Sequence, residues 1–101
     1  MNIQINEETD PIVVTVTDSL LVNESSVLRE KILELIKQGN IHFLFDFSKL
    51  NIIDSSGLGV LVSIHKRVKE RDGKLIIKGL HGEVKKIFEL TRLTKVFDIV
   101  E

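Results

Sequence analysis

The chain concentrates its chemistry-bearing residues in Asp54-Ser55-Ser56-Gly57-Leu58-Gly59, a carboxylate and two hydroxyls followed by two closely spaced glycines. The run lies between a strand-like and a helix-like pattern, the junction at which open α/β sheets usually bind their ligands. At a helix start, Asp54 can accept hydrogen bonds from first-turn amides that have no partner inside the helix. The helix dipole favours a negative charge there by about 0.3 to 1 kcal/mol. Ser55 and Ser56 then fall in the first turn, next to solvent. Glycines inside a helix cost roughly 1 kcal/mol each relative to alanine, so Gly57 and Gly59 must be there for another reason. They leave bare backbone that a neighbouring element or a partner can approach closely. Two readings stay open on residue chemistry alone: a capped helix packed tightly on its sheet, or a recognition surface. A phosphate loop fits poorly, because the third glycine and a following Lys-Ser/Thr are missing.

Other candidates carry less. His42 falls in a strand pattern, His65 on a helix and His81 in a loop, with no metal-ligand spacing among them. No Gly-x-Ser-x-Gly elbow surrounds a serine, so no Ser-His-Asp hydrolase is expected. No catalytic residue, metal site or cofactor is expected. The basic run Lys66-Arg67-Val68-Lys69 continues into Glu70-Arg71-Asp72, and mixed signs at helical spacing read as a solvated face rather than a nucleic-acid patch. Leu20-Leu21-Val22 is an apolar run at an expected loop, either a contact site or buried under the sheet edge.

The elements that must position the central run alternate in type. Residues 2–6 and the β-branched 12–17 predict a hairpin around Glu8-Thr9-Asp10-Pro11. Asn23 is a candidate cap for a helix burying Leu28, Ile32, Leu35 and Ile36, with Gly39 placed to end it. Residues 41–47 lose alternation, as in a strand buried on both faces of a parallel sheet. A second helix is expected over 55–71, burying Leu58, Leu61, Val62, His65 and Val68 and ending at Asp72-Gly73. A strand over 74–78, a third helix over 82–91 with Val84, Ile87, Phe88 and Thr91 on one face, and a short strand over 96–100 complete the series. Strands alternating with helices require right-handed crossovers. The expected fold is therefore α/β: a mixed, mainly parallel sheet of four to five strands with an N-terminal hairpin and about three helices. All the helices are expected on one side of the sheet.

With 101 residues the chain suits one domain, spanning 1–101. Folding at this size buries roughly 65% of the unfolded surface, enough for one core but not for a deep enclosed active site as well. A formal net charge of −1 gives no electrostatic footprint for nucleic acid or an acidic membrane. Without cysteine there are no disulfides or thiolate metal sites. Residues 1–10 carry Glu7, Glu8 and Asp10 but no basic residue, unlike a signal peptide. A cytoplasmic location is expected.

The segment Ile53-Asp54-Ser55-Ser56-Gly57-Leu58-Gly59-Val60-Leu61 resembles the signature of the STAS family, whose small bacterial members are anti-sigma factor antagonists. Phe45-Asp46-Phe47-Ser48 resembles that family's buried strand and turn, and Leu93-Thr94-Lys95-Val96-Phe97 its closing segment, so the resemblance covers essentially the whole chain. It implies a partner-switching cycle without catalysis by this chain. The unphosphorylated protein would bind an anti-sigma factor that is also a serine kinase and so free a sigma factor. The kinase would then phosphorylate Ser55, with Ser56 the alternative acceptor, and a serine phosphatase would reverse the step. Asp54, Ser55, Ser56, Gly57, Leu58 and Gly59 would form the partner surface. Family members commonly carry an acidic turn before the first helix, and Leu21 stands here in place of its aspartate. The partner is therefore expected to differ from the usual one, or to meet Leu21 by apolar contact. The rival readings are a STAS scaffold or transporter-associated domain that is never phosphorylated, and a small-molecule or nucleotide sensor. Oligomeric state is left open.

Overall fold

Ile12, Val14 and Val16 alternate with half-buried neighbours, and this period of two builds the opening hairpin. In the computed structural model, which describes residues 2–101, β1 (Ile3–Asn6) runs antiparallel to β2 (Ile12–Val16), with Ile3 opposite Val16. From there the sheet grows by parallel pairing: β2 with β4 (His42–Asp46), β4 with β6 (Lys74–Lys78), and β6 with β7 (Asp98–Val100). The result is a five-stranded mixed sheet in the order β1-β2-β4-β6-β7. The intervening helices are α1 (Val22–Lys37), α2 (Ser55–Glu70) and α3 (Gly82–Leu90). No helix among the described residues is long and apolar enough to cross a membrane.

Register explains where the core sits. Val14, Phe45 and Ile77 lie side by side across β2, β4 and β6, and all three are fully buried. One residue earlier, Val13, Leu44 and Ile76 form the matching row on the opposite face and are only half-buried. The helices thus cover one face of the sheet. This corrects the expectation that 41–47 is buried on both faces. Its unbroken apolar run reflects lateral cover by neighbouring strands, not a second layer.

The helices follow their patterns with three adjustments. Leu28, Ile32, Leu35 and Ile36 are the buried face of α1, as their spacing predicts, but its N-cap is Leu21, not Asn23. Leucine has no side-chain acceptor. The turn is held instead by Glu24, whose carboxylate accepts from the Leu21 amide at 2.9 Å. On α2 the buried face is Gly57, Leu61, Ile64 and Val68, while Val62, expected inside, is 39% exposed. Thr91, expected on the apolar face of the third helix, is also exposed and donates its hydroxyl to the Ile87 carbonyl at 2.6 Å.

Two strands were not anticipated. β3 (Asp18–Leu20) and β5 (Leu50–Ile53) pair in parallel as a separate two-stranded sheet. The Asn2 side chain supports β3, donating to the Thr17 carbonyl at 2.8 Å and the Ser19 carbonyl at 2.6 Å. The closing strand is shorter than 96–100. A 3₁₀ turn at Leu93–Lys95 precedes it, and pairing begins at Asp98.

Candidate functional site

The small β3–β5 sheet is what assembles the site. Leu20 pairs with Ile53 in parallel, so the next residues, Leu21 and Asp54, lead side by side into α1 and α2. Both helix N-termini therefore open at the same edge, and α1 packs along α2. The Asp54 carboxylate accepts from the Gly57 amide at 3.1 Å, while its carbonyl accepts from Leu58. Asp54 thus caps α2 as its type and position predict. The first turn is regular helix from Ser55, with the Gly57 amide already committed to Asp54. This is a capped helix, not a phosphate-cradling loop.

Within that turn Ser55 is exposed, Ser56 and Leu58 are half-buried, and the two glycines part ways. A Cβ on Gly57 would fall 2.5 Å from the Leu20 carbonyl oxygen and 2.6 Å from Ile53 Cγ1. Gly57 faces inward and lets α2 lie directly against β3 and β5. A Cβ on Gly59 would meet nothing within 4 Å. Gly59 is open to solvent, and Ser55, Gly59, Val62 and Lys66 follow one another along an exposed strip at helical spacing. The apolar run Leu20-Leu21-Val22 also divides: Leu20 is buried, Leu21 half-buried and Val22 59% exposed. Ile52, on β5 two residues before Asp54, is 52% exposed. Nothing in the sequence marks Ile52, because β5 is only four residues long and its one polar residue, Asn51, sets no repeating alternation.

The histidines do not converge on this edge. His42 Nδ1 lies 3.5 Å from the Asp10 carboxylate, and His81 is the N-cap of α3. His65 packs against Phe97. Among the described residues no three His, Cys, Asp or Glu side chains are grouped so as to hold a metal ion.

The STAS domain model matches residues 2–101. The anti-sigma-B factor antagonist of Bacillus subtilis (strain 168) is 30% identical over 99 residues, spanning 98% of this chain and 90% of that protein. The chain belongs to the STAS-domain family of anti-sigma factor antagonists. Solved structures agree on the fold. The anti-sigma factor antagonist SpoIIAA in its unphosphorylated form superposes with a TM-score of 0.81 at 21% identity, covering 98% of this chain and 87% of that one. The Bacillus cell fate determinant SpoIIAA in the phosphorylated form gives 0.80 at 22% identity, covering 98% and 91%. In this STAS domain the signature run is the β5–α2 junction, in which Ser55 and Gly59 are the exposed residues.

Proposed function

We propose that this protein is a binding module controlled by phosphorylation of Ser55, with no catalytic activity of its own. Unphosphorylated, it binds an anti-sigma factor that is also a serine kinase, and so frees a sigma factor. The kinase phosphorylates Ser55, the complex separates, and a serine phosphatase resets the cycle. Residues 1–101 act as one domain, in the cytoplasm, without cofactor, nucleic acid or membrane. The partner surface comprises Asp54, Ser55, Ser56, Leu58 and Gly59, with Leu21 on the adjacent helix start and Gly57 setting the helix position beneath. The names of its relatives support the partner class.

The observation that carries this reading is the placement of Ser55. It is exposed at N1 of α2, beside a carboxylate already engaged in capping and a glycine that leaves backbone bare. A phosphoryl group there adds about −1.5 to −2 charges at pH 7 without displacing any buried side chain. Pressed against a partner, the same group needs a cation that the unphosphorylated complex does not require.

The test is incubation with the serine-kinase anti-sigma factor of the same organism and ATP, followed by peptide mass spectrometry. Phosphate on Ser55, and none on Ser55→Ala, is expected. Full phosphorylation of Ser55→Ala would move the site to Ser56, and no phosphorylation at all would favour an unmodified scaffold.

A further inference from the structure

His65 has no part in the Ser55 surface, yet its environment is unusual. It sits on α2 one turn after the buried Leu61, half-buried, and its Nε2 is fully enclosed without a hydrogen-bond partner among the described residues. A buried polar atom left unpaired costs free energy, and a charged one costs more. The ring's neighbour is Phe97, with ring centres 5.0 Å apart and planes at 71°, an edge-to-face contact. Phe97 in turn lies against Phe88 of α3, with ring centres 5.9 Å apart.

Phe97 is the anchor of the chain's closing segment. From residue 93 to 100 it alone is buried; Leu93 and Ile99 are half-buried and the others are exposed. The segment is otherwise held by the 3₁₀ turn, in which the Val96 and Phe97 amides donate to the Leu93 carbonyl at 3.0 and 3.1 Å, and by short edge pairing of β7 with β6. Residues with one buried anchor and an edge-strand ladder are the first to open in a folded domain.

We propose that the contact between His65 and Phe97 is a pH-sensitive latch, closed when the imidazole is neutral, whose protonation releases residues 93–100 from α2 and from the edge of β6. Two charged groups bear on the ring: Lys69, one turn along the same helix, and Asp98, on β7 itself. Burial is the largest influence and lowers the proton affinity of His65; Lys69 acts in the same direction, and Asp98 opposes both without reversing them. The folded form therefore prefers the neutral ring. Above the ordinary imidazole value of about 6.5 the latch contributes fully. As pH falls below that value the released form takes up a proton first, and the latch weakens until the ring titrates in place. Each unit separating the two midpoints makes opening about tenfold more frequent at low pH.

The test combines two measurements on the whole chain between pH 7.5 and 5. NMR titration of the His65 ring gives its midpoint, and amide exchange at Val96 and Phe97, corrected for the intrinsic rate, gives opening. The expected result is a midpoint below about 6.5 with protection at Val96 and Phe97 falling as pH is lowered, while Phe45 and Ile77 stay protected. His65→Phe, which keeps a ring, and His65→Gln, which is smaller and polar, should both show pH-independent protection at the segment. A midpoint at or above the ordinary value would overturn the proposal. So would the wild-type pH dependence persisting in both variants.

Discussion

Gly57 and Gly59 are chemically identical and stand in the same helix, yet the structure sets them opposite tasks. A methyl on Gly57 would meet the Leu20 carbonyl, which is backbone and cannot swing aside. Gly57→Ala should therefore destabilise by about 1 to 3 kcal/mol, as overpacking does, seen as an earlier urea midpoint with unchanged slope. Gly59 has open space around it, so Gly59→Ala should stabilise by up to about 1 kcal/mol through helix propensity alone. If Gly59 is bare for the sake of a partner, the same variant will bind the anti-sigma factor more weakly while melting later. The sequence showed that both glycines were costly to the helix. It could not show which faced inward, because that depends on β3, a strand of three residues with no pattern of its own.

At the scale of elements, α1 and α2 start side by side but are capped differently. Asp54 caps α2 with its own side chain, and Leu21 offers α1 none. Asp54→Ala should lose about 0.5 to 2 kcal/mol. Leu21→Asp supplies the missing acceptor opposite the Glu24 half of a capping box and should raise the thermal midpoint in calorimetry; a lowered one would mean that the half-buried leucine matters more as packing. The helices were legible because their apolar faces repeat over several turns, as with Leu28, Ile32, Leu35 and Ile36. The boundary at Leu21 was not, since Asn23 is the better capping type and only the pairing of β3 with β5 fixes where the chain turns. Val62 was placed inside for a similar reason. Among Leu61, Val62 and Ile64 the spacing allows two faces, and the sheet beneath selects Leu61 and Ile64.

Across the whole molecule, the mixed, mainly parallel sheet was readable because β-branched and aromatic runs alternate with amphipathic helices; the order of its strands, β1-β2-β4-β6-β7, comes from the structure. The half-open second face was expected from the number of helices. The burial of 41–47 on both faces was not a safe reading, because Leu44 and Ile76 are apolar on a face that no helix covers. This architecture bears on how a phosphate on Ser55 acts. Asp54 repels it by about 1 kcal/mol per charge pair near 4 Å in water, and the start of α2 attracts it by about 0.3 to 1 kcal/mol. With about −1.5 to −2 charges on the phosphoryl group, repulsion exceeds attraction by about 1 kcal/mol, small against the roughly 5 to 15 kcal/mol that holds a domain folded. Amide spectra with and without phosphate should then differ only around Asp54 to Gly59. Shifts spreading through β4 and β6 would mean a conformational switch.

The proposed release acts by charge and bulk at one exposed serine. Its most direct test is the dissociation constant for the anti-sigma factor kinase of the same organism, measured for the unphosphorylated protein and for protein phosphorylated on Ser55. An unpaired charge forced into an interface costs about 2 to 5 kcal/mol, and each 1.4 kcal/mol is about a tenfold change in affinity. The phosphorylated form should therefore bind at least about twentyfold more weakly. Equal affinity for the two forms would contradict it.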